Sequence, residues 1–91
     1  IENGNYYHLW YADMTMVRLS ELTIGQMGII EDVEAEEHFR QRLQSLGFRI
    51  GKEVRLIRQA LFGGPLHVRI GSVNVVLRRN DAATIHVWAE G

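Results

Sequence analysis

The strongest constraint on this chain is a change of hydrophobic period to two after Gly51. Val54 and Leu56 share a face. Leu66, Val68 and Ile70 alternate with His67 and Arg69, and Val73, Val75 and Leu77 alternate with Asn74, Val76 and Arg78. Alternation of this kind marks strands that bury one face and leave the other wet. Only Gly71-Ser72 separates the last two runs. A two-residue connection with Gly first predicts a hairpin closed by a type II′ turn. Ile85 and Val87 end the pattern as a short final strand.

Upstream the pattern is mixed. Arg18 to Leu22 reads as one short helical turn with Ser20 as its candidate cap, and Thr23 to Gln26 as a turn. Met27 to Val33 predicts a strand in which Gly28 leaves room for a bend or bulge. Glu34 to Leu46 is the one helix, because Phe39, Leu43 and Leu46 fall at i, i+4 and i+7. Asp32 is its candidate cap. Glu34, Glu36 and Glu37 crowd its positive end, and Arg40 and Arg42 come later, where the helix dipole favours cations. Glu36 and Arg40 have the i, i+4 order of a stabilising pair. Gly47 suits the left-handed residue that stops a helix. Asn80 to Ala83 reads as a polar turn or half-turn of helix.

The count is thus about five short strands with one α-helix inserted after the first. The chain has 91 residues and no cysteine, so no disulfide or thiolate metal site can substitute for a core. An open sheet of this length exposes its edges, and closure removes them. The expected fold class is mainly β: a small SH3-like barrel with the helix packed across one opening. The expected domain spans residues 18–91. Residues 1–17 form an N-terminal aromatic arm holding Tyr6, Tyr7, Trp10 and Tyr11. Because residue 1 is Ile, the arm is either a remnant of trimming or cloning, or a native segment that packs on the barrel or mediates self-association through residues 1–16.

No stretch approaches the roughly 20 apolar residues of a membrane span. The start lacks the basic and small-residue pattern of a signal peptide. The net charge of −1 hides a segregation: residues 1–37 carry eight acids and one base, and residues 38–91 carry nine bases and three acids. Either these charges intermix on folding, or they leave a dipolar surface that orients the protein on a partner.

Little in the chain suggests catalysis. Gly47 to Glu53 has three residues between its glycines where a phosphate loop needs four, and Glu53 stands where Ser or Thr would hold Mg²⁺. Ser20, Ser45 and Ser72 sit at a cap, a helix end and a hairpin tip, none beside an activating base. No enzyme and no cofactor are expected. The four histidines are scattered. Glu34 and His38, at i, i+4 on the predicted helix, are weak metal candidates, with a solvated helix face as the competing reading. His67 and His86 should point out of the barrel. Lys52, Arg55, Arg58, Arg69, Arg78 and Arg79 supply charge for a single strand of nucleic acid, but the strands lack an aromatic platform. Direct nucleic-acid binding is therefore not expected.

One loop departs from rule. Ala60-Leu61-Phe62-Gly63-Gly64-Pro65 joins two strands and is apolar before it turns. Leu61 and Phe62 either fold over an open barrel end or form an exposed patch for a partner. In the second case Arg40 and Arg42, on the outer side of the helix, would steer the encounter.

Three stretches, in order, carry a resemblance: Leu19-Ser20-Glu21-Leu22 with Gly25-Gln26-Met27-Gly28; Arg42 to Phe48 with Gly51 and Val54; and Gly64-Pro65-Leu66 through Gly71 to Val75-Val76-Leu77-Arg78-Arg79-Asn80-Asp81-Ala82. Over residues 18–88 the chain resembles the ferrous iron transport protein A (FeoA) family. The resemblance implies a cytoplasmic SH3-like protein, peripheral to the inner membrane through its partner, the FeoB-type membrane iron transporter with its GTP-binding cytosolic domain. It transfers no catalytic residue. The rivals are a regulatory SH3-like domain of an iron-dependent transcriptional repressor and a small-barrel single-strand nucleic-acid binder.

Overall fold

The structure, a computed structural model, describes residues 13–90. Its elements run β1 (Met14–Arg18), a 3₁₀ turn (Leu19–Glu21), β2 (Met27–Val33), α1 (Glu37–Ser45), β3 (Glu53–Gln59), β4 (Leu66–Ile70), β5 (Val73–Leu77), α2 (Arg79–Ala82) and β6 (Ile85–Glu90). The strands form one antiparallel sheet in the order β1-β6-β2-β3-β4-β5. The expected small-barrel class holds, with one strand more than the pattern showed. The extra strand is β1, which pairs with β6 from Met14 opposite Glu90 to Arg18 opposite His86. Only Met14 is buried and Val17 half-buried, so β1 lacks clean alternation.

The hydrogen-bonded ladder does not run full circle: β1 and β5 are its two ends. The 3₁₀ turn that follows β1 packs against α2, which follows β5. Between them Arg79 Nη1 donates to the Ser20 carbonyl at 3.5 Å. Helical turns thus meet where a complete barrel would have a ladder.

Alternate residues of β3, β4 and β6 supply the core: Val54 and Leu56, then Leu66, Val68 and Ile70, then Ile85, Val87 and Ala89. Leu19, Leu43 and Phe48 add to it from outside the sheet. Val73 departs from its predicted face and is exposed, because it sits at the mouth of the hairpin. In that hairpin Gly71 has φ +61° and Ser72 does not have a positive φ, as a type II′ turn requires.

Two register shifts bend the strands. Ile30 faces Val87 but Asp32 faces His86, so Glu31 is the extra residue of β2. Likewise Ile57 is extra in β3 between Leu56 and Arg58. Gly28, the expected bulge, instead lies flush against β6.

The helix is shorter than predicted. Glu36, not Asp32, caps it, its Oε1 accepting from the Phe39 N–H at 2.7 Å. The Asp32 carboxylate instead accepts the Val33 N–H. The upstream 3₁₀ turn is capped by Glu21, which accepts the Arg18 N–H at 2.7 Å, and not by Ser20. The helix ends as Gly47 predicted: Phe48 N–H bonds the Leu43 carbonyl and Gly47 N–H the Gln44 carbonyl. That is a Schellman stop, with Gly47 at φ +108° and Phe48 folded back into the core beside Leu43. Leu43 is fully buried and Phe39 packs against the core, whereas Leu46, the cap residue, is exposed.

Candidate functional site

The apolar loop between β3 and β4 does not fold over the barrel. Leu61 is 79% and Phe62 101% exposed. The loop is nonetheless closed on itself. Ala60 N–H bonds the Pro65 carbonyl at 2.9 Å, and Gly64 N–H bonds the Leu61 carbonyl at 3.2 Å. Gly64 lies so close to Ala60 that a Cβ there would stand 2.7 Å from Ala60 Cβ. Arg79 underlies this end of the barrel: Nη2 donates to Gln59 Oε1 at 3.4 Å, and Nε lies beneath Gly63.

Phe62 carries a further cost. Its φ of +59° is the left-handed conformation, and it is the only non-glycine among the described residues to adopt one. That conformation costs an L-residue about 1–2 kcal/mol, which Gly or Asn avoids. An exposed aromatic therefore occupies a position where backbone energetics favour a small residue. Stability alone does not account for Phe62.

Beside the loop a groove of about 480 Å³ runs between α1 and β5. Phe39, Leu46, Val76 and Leu77 line it, with Arg42, Arg78 and Asp81 at its sides. Arg78 also borders the depression under Gly63 and Pro65. Arg78 thus lines both the groove and the depression at the base of the loop. Of the expected contact residues, Arg42 lines the groove, Leu61 and Phe62 stand exposed on the loop, and Arg40 lines neither depression. Arg40 Nη2 is bound to Glu37 Oε1. Gln41 Nε2 adds a bond to Glu37 Oε2 at 3.0 Å. The hydrogen bonds from Arg40 and then Gln41, helped by the charge of Arg40, hold the Glu37 carboxyl below its ordinary range. The expected Glu36–Arg40 pair gives way to Glu37–Arg40 because Glu36 spends its carboxylate on the cap.

The groove residues Val76, Leu46 and Arg78 were not foreseen. A signal existed for Val76, an apolar residue at an outward position of its strand and 68% exposed.

Glu34 and His38 do not share a helix face. Glu34 precedes α1, and its Oε1 lies 3.5 Å from His86 Nε2, while His38 is on exposed helix. Among the described residues no three metal-ligating side chains cluster. His67 Nε2 and Arg69 Nε both reach Asn74 Oδ1 at 3.2 Å. On the outer faces of β3, β4 and β5 the cross-strand rows are Arg55, Arg69 and Asn74, then Arg58, His67 and Val76, so these rows are basic and carry no aromatic ring. Phe48 is in the core, and the Trp88 indole N–H donates to Glu31 Oε1 at 2.8 Å. Arg55, Arg58 and Arg69 thus share one sheet face. Glu31, Asp32, Glu34, Glu36 and Glu37 follow one another at the end of β2 and the start of α1. Among the described residues no helix is long and apolar enough to cross a membrane.

A small barrel of six antiparallel strands with one inserted helix, exposing an apolar loop and a groove, belongs to the SH3-like class. The particular family is shown by comparison: the FeoA domain matches residues 17–88, and the chain belongs to the FeoA family of ferrous iron transport. A Porphyromonas gingivalis protein named as a fusion of Fe(2+) transport protein A and Fe(2+) transporter FeoB is 42% identical over 71 residues. The match takes in 78% of this chain and spans 8% of the fusion protein. The crystal structure of Stenotrophomonas maltophilia FeoA complexed with zinc, described as an SH3 domain protein, matches with a TM-score of 0.70 at 33% identity, covering 78% of this chain and 88% of that one. A manganese-dependent transcriptional repressor matches at 22% identity with a TM-score of 0.75, covering 84% of this chain and 42% of that one, a likeness of fold alone.

Proposed function

We propose that this protein is a non-enzymatic accessory factor of ferrous iron uptake that docks on the cytosolic part of a FeoB-type, GTP-dependent transporter. One observation carries the reading: in the Porphyromonas gingivalis relative the matching segment and the transporter are one polypeptide. Tethering raises effective concentration between modules that meet, and separate chains must supply the same encounter through a surface. Leu61 and Phe62 supply its apolar anchor. Few residues dominate such contacts, and exposed aromatics placed at a rigid site are prominent among them. Arg78 at the base of the loop and Arg42 in the groove favour a partner surface rimmed with carboxylates. The protein would thus work in the cytoplasm, held at the inner membrane through its partner. The exposed histidines and the Glu34–His86 pair have no part in this reading.

The test is capture of the transporter's purified cytosolic domain by the whole chain, with GTP turnover followed in parallel. The unaltered protein is expected to bind. The double variant Leu61→Asp/Phe62→Asp, still folded, is expected to bind at least about tenfold more weakly, as loss of a hot spot implies. Undiminished capture by the folded variant removes the loop from the interface. No capture by the unaltered chain removes the reading.

A further inference from the structure

The sheet ends in an undefended edge. Among the described residues β5 pairs with β4 alone. Their two-residue hairpin makes Ile70 and Val73 a hydrogen-bonded pair, and alternation then does the same for Val68 with Val75 and Leu66 with Leu77. The backbone N–H and C=O groups of Asn74 and Val76 therefore point away from β4, toward the open side. Free edges are ordinarily guarded by lysine, proline, a bulge or an inward charge. β5 reads Val-Asn-Val-Val-Leu and keeps unbroken register with β4. None of these lies in the strand, and α1, the helix that could cover the edge, stands across the groove from it.

We propose that the free edge of β5 accepts an extended segment of the transporter's cytosolic part as a seventh strand, a mode that rests on the docking reading above. The added strand would exchange backbone hydrogen bonds with Asn74 and Val76. Its side chains on one face would enter the groove lined by Phe39, Leu46 and Val76. Arg42 and Arg78 stand beside that groove against the single carboxylate of Asp81. The fitting segment is therefore apolar at alternate positions, acidic at its flanks and free of proline. A second copy of this chain fits less well. Its own β5 carries no carboxylate to offer Arg42 or Arg78.

Proline provides a clean test. The Val76 N–H takes no part in the ladder with β4, and proline is tolerated on the open side of an edge strand. Val76→Pro thus removes one donor from the proposed seam, while Val76→Thr keeps it. Against the purified cytosolic domain, Val76→Pro is expected to bind about tenfold more weakly than Val76→Thr, the value of one lost intermolecular hydrogen bond, since both variants alter the groove-lining side chain and only proline removes the donor. Amide exchange of the unaltered chain, alone and in the complex, gives a second measurement should Val76→Pro not fold. Asn74 and Val76 amides are expected to become protected in the complex. If the parent binds but these amides stay unprotected, or if folded Val76→Pro binds as well as Val76→Thr, the added strand is overturned while the transporter reading stands. Protection that grows with the protein's own concentration, without the transporter domain, assigns the edge to self-association and overturns the proposal. If the parent does not bind, both fall together.

Discussion

Gly28 and Val87 are diagonal neighbours across the β2–β6 ladder with no room for a methyl group between them. A Cβ on Gly28 would stand 2.8 Å from Val87 Cγ2 and 3.0 Å from Val87 Cβ. β6 is the last strand in sequence yet lies between β1 and β2. Its insertion requires this close approach. The glycine serves space here and not backbone conformation, since its φ is not positive.

Gly28→Ala is therefore expected to destabilise the fold by about 1–3 kcal/mol, the usual cost of overpacking a tight core. Thermal unfolding should show a drop of several degrees, about 4–8 °C per kcal/mol for a domain of this size. An unchanged melting temperature would mean that β6 can shift away from β2.

Gly47 is constrained by conformation instead. At φ +108° it occupies space that L-residues rarely enter. Gly47→Ala should cost about 1–2 kcal/mol by the left-handed penalty. It should also loosen the Schellman bonds to Leu43 and Gln44. Amide exchange at Gly47 and Phe48 should quicken more than at β3 and β4.

Several parts of this architecture were legible in the sequence. The period-two runs around Leu66–Ile70 and Val73–Leu77 gave two strands, and Gly71-Ser72 gave their turn. Gly47 gave the helix stop. β1 was not legible: its partner β6 lies some 70 residues away, beyond any local pattern, as the pairing of Met14 with Glu90 shows. The helix start was misplaced because four carboxylates compete for one cap within residues 32–37, and only geometry selects Glu36. At the candidate site the apolar loop was visible as an exception to turn chemistry. The groove was not, since it joins Leu46 to Val76 through tertiary packing. That Arg40 pairs with Glu37 and not Glu36 was not legible, because sequence spacing cannot tell a carboxylate at i−4 from one at i−3.

The Glu37–Arg40 contact makes a prediction about acid. The Glu37 carboxyl is held below its ordinary value of 4.5, first by the hydrogen bond from Arg40. The unfolded chain, lacking that bond, takes up the proton at higher pH than the folded one. The contribution is thus complete above the ordinary value and disappears as pH falls through the lowered one. Both side chains lie at the surface, so salt should screen the effect. Titration followed at the Glu37 side chain should place its midpoint below that of an unpaired glutamate such as the Arg40→Gln variant provides. Equal midpoints would remove the pair.

The last prediction separates stability from docking at a single residue. Phe62 holds a left-handed backbone with its ring wholly in solvent. Asparagine tolerates that conformation far better than phenylalanine. It also exposes no apolar surface. Phe62→Asn should therefore raise the unfolding free energy, by about 0.5–1 kcal/mol on the scale of compatible backbone substitutions. The same change should weaken capture of the transporter's cytosolic domain, since it deletes the anchor while leaving the closed loop from Ala60 to Pro65 intact. A variant that is both more stable and weaker in binding is the signature of a residue kept for its contact. If Phe62→Asn is less stable than the parent, the ring contributes to the fold. If it binds equally well, the anchor lies elsewhere, with Leu61 and the groove beside Val76 as the remaining surface to test.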